Sequence, residues 1–168
     1  MAVRPIVIYG DPVLREKTKA VEEVDRKTKD LVADMIATLK DARGLGLAAP
    51  QVGVAQRIFI TDLSPLDLTE SVRVFINPEI VEASGKVALE EGCLSFPGLY
   101  QNISRPEKVT VRALGLDGQP FEMTAEGILA RAILHEYDHL EGILFIDHLS
   151  SISRALIQGR LRKLAAVL

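Results

Sequence analysis

Three features of the sequence predict an α+β fold. Apolar residues recur at helical spacing near the start of the chain and again in its last third. Between those stretches lie short β-rich runs separated by Pro, Gly, Asn and Ser. The resulting order of one helix, many strands and two helices lacks the strand–helix alternation of a parallel sheet. At 168 residues the length suits one domain, so residues 1–168 are expected to form a single unit.

The elements follow in order. Residues 1–24 read as an extended arm with a turn at Gly10-Asp11-Pro12. Asp25 can cap a helix running to about Arg43, with an apolar stripe of Leu31, Val32, Met35, Ile36 and Leu39. Gly44 is expected to stop that helix by taking a positive φ. Strands are expected over 57–62, 73–77, 79–83, 86–89, 108–114 and 121–124. A second helix is expected from a cap near Thr124 to a stop at Gly142, and a third, amphipathic one over 151–167.

Composition sets limits on function. Apolar residues make up 48% and charged residues 26%, which excludes a disordered chain, a collagen-like repeat and a coiled coil. A net charge of −3 gives no support to wholesale nucleic-acid wrapping. A domain of this size folds without a disulfide or a structural metal, so a bound metal is expected to serve chemistry. The one cysteine, Cys93, excludes an internal disulfide and points to a reducing compartment. With no apolar leader and no run long enough to span a bilayer, a cytoplasmic location is expected.

The chemistry is concentrated at residues 135–139, which read His-Glu-Tyr-Asp-His. On a helix, His135 and His139 lie one turn apart on one face and can reach the same metal ion. Glu136 sits about 100° round the helix from His135, beside such an ion, where a carboxylate can take a proton from water and deliver it to a leaving group. A catalytic tetrahedral site needs a third protein ligand and one open position. A metzincin-type extension fails, since Gly142 fits but Phe145 stands where the last histidine belongs. No glutamate follows Glu141, which leaves Asp147 and His148 formally open. Cys93, in Glu91-Gly92-Cys93-Leu94-Ser95, is the better candidate, because a thiolate binds borderline and soft divalent metals strongly. The whole is therefore expected to be several short antiparallel strands packed around a central metal-binding helix, with an N-terminal and a C-terminal helix.

The segment Gly44-x-Gly46-x-x-Ala49 superficially matches a dinucleotide-binding fingerprint. That fingerprint needs a strand before it and a helix after it, whereas here a helix precedes and Pro50 follows. The glycines read instead as permitting close backbone approach, with Gln51 directed at the metal.

Three segments together resemble peptide deformylase: His135-Glu136-Tyr137-Asp138-His139-Leu140-Glu141-Gly142, Glu91-Gly92-Cys93-Leu94-Ser95 and Gly44-Leu45-Gly46-Leu47-Ala48-Ala49-Pro50-Gln51. They occur in the family's order and spacing in a chain of the family's length, so the resemblance covers essentially all 168 residues. The sequence departs from the family at Leu134, where glutamine is usual before the first histidine. The resemblance implies Cys93, His135 and His139 as metal ligands with water in the fourth position, and Glu136 as general acid/base. It implies the Gln51 side chain and the Leu94 N–H as donors to the oxyanion. It also implies Fe(II) as the usual metal, with zinc, nickel or cobalt as substitutes, and removal of the formyl group from the N-terminal formyl-methionine of nascent chains.

Ile128, Ala132, His135 and His139 share one helical stripe, so Ile128 and Ala132 can wall an apolar pocket beside the ligands. Leu89 and Leu45 are expected to close it around an unbranched side chain such as methionine. Extended peptide is expected to pair with Leu45–Gly46 and with Gly92 by strand addition. Glu91 and Arg105 are expected to pair and hold the Cys93 loop, and Asp138 to orient the ligand helix. No acidic side chain follows Asp147, whereas Arg154, Arg160, Arg162 and Lys163 do, so the C-terminal helix is a candidate for docking on the ribosome. The competing function is an endopeptidase of the His-Glu-x-x-His type, which has no need of Cys93.

Overall fold

A computed structural model describes residues 1–166 of the chain. Helix α1 spans Arg26–Ala42 and helix α2 spans Gly127–Leu140, with two short helices, α3 (Ser151–Leu156) and α4 (Gln158–Ala165), at the end. Seven strands lie between or beside them: β1 (Gly46–Ala48), β2 (Ile58–Thr61), β3 (Arg73–Ser84), β4 (Val87–Gly92), β5 (Tyr100–Arg105), β6 (Lys108–Leu114) and β7 (Pro120–Glu126). Five strands form one antiparallel sheet in the order β1-β2-β3-β6-β7, and β4 and β5 form a separate antiparallel hairpin. The α+β class is as predicted.

Strand alternation explains the layering. Leu47, Ile58, Ile60 and Ile76 point to one face of the sheet and pack with Leu31, Val32, Met35 and Leu39 of α1. Ala48, Phe59 and Phe75 point to the other and pack with Ala130, Ile133 and Leu140 of α2, where Phe59 and Phe75 stack with ring centroids 4.6 Å apart. Both faces are covered, so every residue of β2 is buried. A third cluster joins Leu14 of the arm, Phe96, Ile103 of β5, Phe145 and, from the C-terminal segment, Ile157 and Leu161.

The Asp25 side chain accepts from the Thr28 N–H and caps α1 as expected. Gly44 does not stop the helix: the left-handed residue is Arg43, at φ 57°. The two runs expected at 73–77 and 79–83 are one bent strand, with a register shift beside Asn77-Pro78. Asn77 itself is left-handed, at φ 51°, and its amide bonds both the N–H and the C=O of Val21, pinning the N-terminal arm to the sheet.

The expected cap at Thr124 is also corrected. Pairing with β6 carries β7 on to Glu126, and the Thr124 hydroxyl meets Thr110 across the strands at 2.9 Å. Helix α2 therefore begins at Gly127. The expected C-terminal helix is broken at Ile157, and its end at Val167 lies outside the described residues. The arm reaches three separate segments: Val7 N–H donates to Gln51 C=O, Tyr9 N–H to Ser95 C=O and Thr18 N–H to Leu140 C=O. Among the described residues, no helix is long and apolar enough to cross a membrane.

Candidate active site

Helix α2 and the loop after β4 meet over a cleft of about 450 Å³. Cys93, His135 and His139 each offer a ligand atom there, and these atoms lie within 4.8 Å of one another. Cys93 Sγ is 3.4 Å from His139 Nε2. Two tetrahedral ligands at ordinary metal–sulfur and metal–nitrogen lengths stand roughly 3.5 Å apart, so the spacing suits one ion. A thiol with two imidazoles is a donor set for a borderline divalent metal. Asp147 and His148, the other candidates from the sequence, lie outside this group: Asp147 pairs with Arg15 and His148 with Asp138.

Glu91 organises the site from below. Its Oε1 accepts from His135 Nδ1 at 2.5 Å, which leaves His135 Nε2 for the ligand group. Arg105 grips the same carboxylate with both Nε and Nη2, at 2.8 and 2.7 Å, and gives Nη1 to Asp138 at 2.9 Å. The expected Glu91–Arg105 pair is thus present and buried. Burial pushes Glu91 up, but hydrogen bonds from Arg105 and His135, together with their charges, hold it well below the usual carboxylate range. Burial pulls His135 down, but Glu136, Cys93 and Glu91 outweigh it and hold the ring well above its ordinary value. Burial, with the charges of His135 and Arg105, holds His139 well below its ordinary value, and a neutral imidazole is what a metal requires.

Glu136 is 4% exposed, and its Oε1 has no hydrogen-bond partner among the described residues. Burial pushes its carboxyl up to about 7, reinforced by the negative Glu91 and Asp138 and opposed by His135 and Arg105. Gln51 is 1% exposed; its Oε1 accepts from Ala48 N–H, which aims Nε2 at Cys93 Sγ (3.5 Å) and Ser95 Oγ (3.1 Å). The Leu94 N–H donates to no backbone carbonyl among the described residues.

Leu45, Gly46, Gln51, Gly92, Leu94, Ile128 and Ala132 all line the cleft with the Cys93 loop, His135 and Glu136. Leu89 does not: it lies on β4 opposite Ile103, 40% exposed, and the cleft wall on this strand begins at Glu90. The sequence reading missed Arg131, a buried arginine that lines the cleft and bonds Glu91. Its signal was a lone charge inside the apolar run Ile128-Leu129-Ala130-Arg131-Ala132-Ile133.

Comparison with known proteins points the same way. Residues 3–155 match the family model described as Polypeptide deformylase. The chain is 54% identical over 147 residues to the peptide deformylase of Clostridium botulinum, covering 88% of this chain and 97% of that one. It is 46% identical over 164 residues to that of Acidobacterium capsulatum, covering 98% and 96%. Its fold superposes on the peptide deformylase structure from Legionella pneumophila with a TM-score of 0.90 and 44% identity, covering 99% of this chain and 97% of that one. For the structure from Thermus thermophilus the TM-score is 0.91 at 39% identity, covering 99% of each chain. Likeness of this extent, in sequence and in fold, makes the chain a member of the polypeptide deformylase family.

Proposed function

We propose that this chain is a metal-dependent hydrolase that removes the formyl group from the N-terminal formyl-methionine of nascent polypeptides and releases formate, with residues 1–168 acting as one catalytic unit. One observation carries the reading: a thiol and two imidazoles have their ligand atoms within 4.8 Å of one another, and Cys93 and His135 of that group line a cleft together with the buried Glu136. In this reading Cys93, His135 and His139 hold one divalent cation, Fe(II) in the cell, with zinc, nickel or cobalt as substitutes. The cation, when bound, polarises the formyl oxygen and makes water acidic enough to attack near neutral pH. Glu136 takes the proton from the attacking water and passes it to the nitrogen as the C–N bond breaks, so that the amine leaves neutral and formate keeps the water oxygen. Gln51 Nε2 and the Leu94 N–H donate to the oxygen on which negative charge builds.

The methionine side chain goes against Ile128 and Ala132, with Leu45 across the cleft. β1 ends the five-stranded sheet and β4 is paired on one side by β5, so each has an edge left to pair with extended peptide at Leu45–Gly46 and Gly92. Recognition through backbone makes the enzyme tolerant of the side chains beyond methionine. The endopeptidase alternative is not favoured, since its third ligand would come from beyond α2, where Asp147 and His148 are engaged elsewhere. Formate release from a formyl-methionyl peptide, run anaerobically beside the acetyl-methionyl peptide, tests the reading. Release from the formyl peptide alone supports it, and no release by the iron-loaded protein overturns it.

A cytoplasmic location and docking on the ribosome through α3 and α4 belong to the same proposal. Two of the four cations there are engaged, Arg154 with Asp147 and Arg160 with Gly98 C=O, which among the described residues leaves Arg162 and Lys163 for an anionic partner. Truncation is a poor test, because Ile157 and Leu161 belong to the core. Charge reversal at Arg162 and Lys163 should instead release the protein from ribosomes in co-sedimentation, and unchanged binding would end the idea.

A further inference from the structure

We infer that Arg131 is a positioning residue for the metal centre: it braces the helix carrying two ligands against the hairpin carrying the third. The inference rests on the ligand set proposed above. Arg131 lies one helical turn before His135 on α2, and the two side chains hold opposite oxygens of one carboxylate. Arg131 Nη1 donates to Glu91 Oε2 at 2.8 Å, while His135 Nδ1 bonds Glu91 Oε1. The same guanidinium reaches both strands of the hairpin, with Nη1 donating to Ile103 C=O on β5 at 2.9 Å and Nη2 to Val87 C=O on β4 at 2.7 Å. Cys93 comes directly after the last residue of β4.

Arg105 forks onto Glu91 from β5 and reaches α2 at Asp138, between the two ligands, so the helix needs a second point of reference before His135. Arg131 supplies that second reference. It ties the carboxylate to the helix from which His135 and His139 project, and so sets the thiol relative to the two rings. The planar fork suits this task, because three acceptors in different directions are met by one rigid group. A lysine at this position has the charge but cannot satisfy all three with one geometry. Arg131 and Glu91 are each 7% exposed, so little solvent is at hand to replace the lost bonds.

The test uses cobalt(II) as the probe, loaded into the full chain and into Arg131→Met and Arg131→Lys, with three readouts: the dissociation constant by chelator competition, the visible and near-ultraviolet absorption of the loaded protein, and the melting temperature without metal. Both variants should bind cobalt on the order of 10- to 100-fold more weakly, with altered ligand-field and thiolate-to-cobalt bands, and the lysine should rescue little. Wild-type affinity and spectrum in either folded variant, whatever the melting temperature, would overturn the inference. So would failure of both variants to fold, since Arg131 would then be a folding residue. Cys93→Ser separates the two ideas: if the wild-type cobalt protein shows no thiolate band, or the serine variant keeps it, the ligand assignment itself fails.

Discussion

Gly46 stands directly against the Glu136 carboxyl. A Cβ at residue 46 would meet Glu136 Oε2 at 2.6 Å and Cδ and Cγ at 2.9 Å. The absent side chain of β1 is therefore the space the carboxyl occupies. Gly46→Ala should displace Glu136 without touching the ligand group, lowering kcat about 100-fold or more while metal content holds. Formate-release kinetics beside metal-to-protein ratios check this, and an unchanged kcat would show that the carboxyl works equally well elsewhere.

Glu136→Gln keeps the shape and removes the exchangeable proton. Turnover should fall by roughly 10² to 10⁴, with cobalt affinity close to wild type because Glu136 is not one of the three clustered donors. Cys93→Ser should do the reverse, losing metal first and activity in proportion. Parallel titration of metal and measurement of kcat distinguishes the two patterns.

Acid should unfold the protein in part through Asp147. Burial pushes this carboxyl up, but hydrogen bonds from Arg15 and Leu144 N–H and the charges of Arg15 and Arg154 outweigh it, so its pKa is lowered on folding. The stabilisation it gives is complete above the unfolded value of about 3.9 and is lost as pH falls through the lower folded value. Asp147→Asn should thus be less stable than wild type at pH 7, and the gap should close as pH falls below about 4. Urea melts at a series of pH values measure it.

Gly142 closes the end of α2 at φ 73°, and a Cβ there would lie 2.6 Å from the Arg15 carbonyl oxygen. Gly142→Ala meets both strain and backbone that has little room to retreat, at a cost on the order of 1–3 kcal/mol. Thermal melting should show the loss in the metal-free protein as well, because the contact is between the end of α2 and the arm.

Much of this was readable from local sequence. Asp25, the stripe from Leu31 to Leu39, the His135–His139 turn and the Cys93 loop each carry their signal within a few residues. The features that escaped depend on distant partners. β1 is three residues of a glycine-containing segment and is a strand only because Gly46–Ala48 pairs with Phe59–Thr61. β5 carries an alternation masked by polar side chains and is fixed by β4. Thr124 is a good cap by type, yet β6 claims it for the sheet. Arg131 reads as a stray charge until the hairpin, 28 to 44 positions earlier, supplies its acceptors.

The bonds from Val7, Tyr9 and Thr18 to Gln51, Ser95 and Leu140 join the first part of the polypeptide to progressively later parts. During synthesis Val7 and Tyr9 can find their partners early, but Thr18 must wait until the ligand helix has emerged, because closing so long a span yields nothing before its far end exists. Assembly of the reactive centre is likewise a late step, and a chain stalled before His135 lacks both imidazoles and the Leu140 carbonyl that holds Thr18.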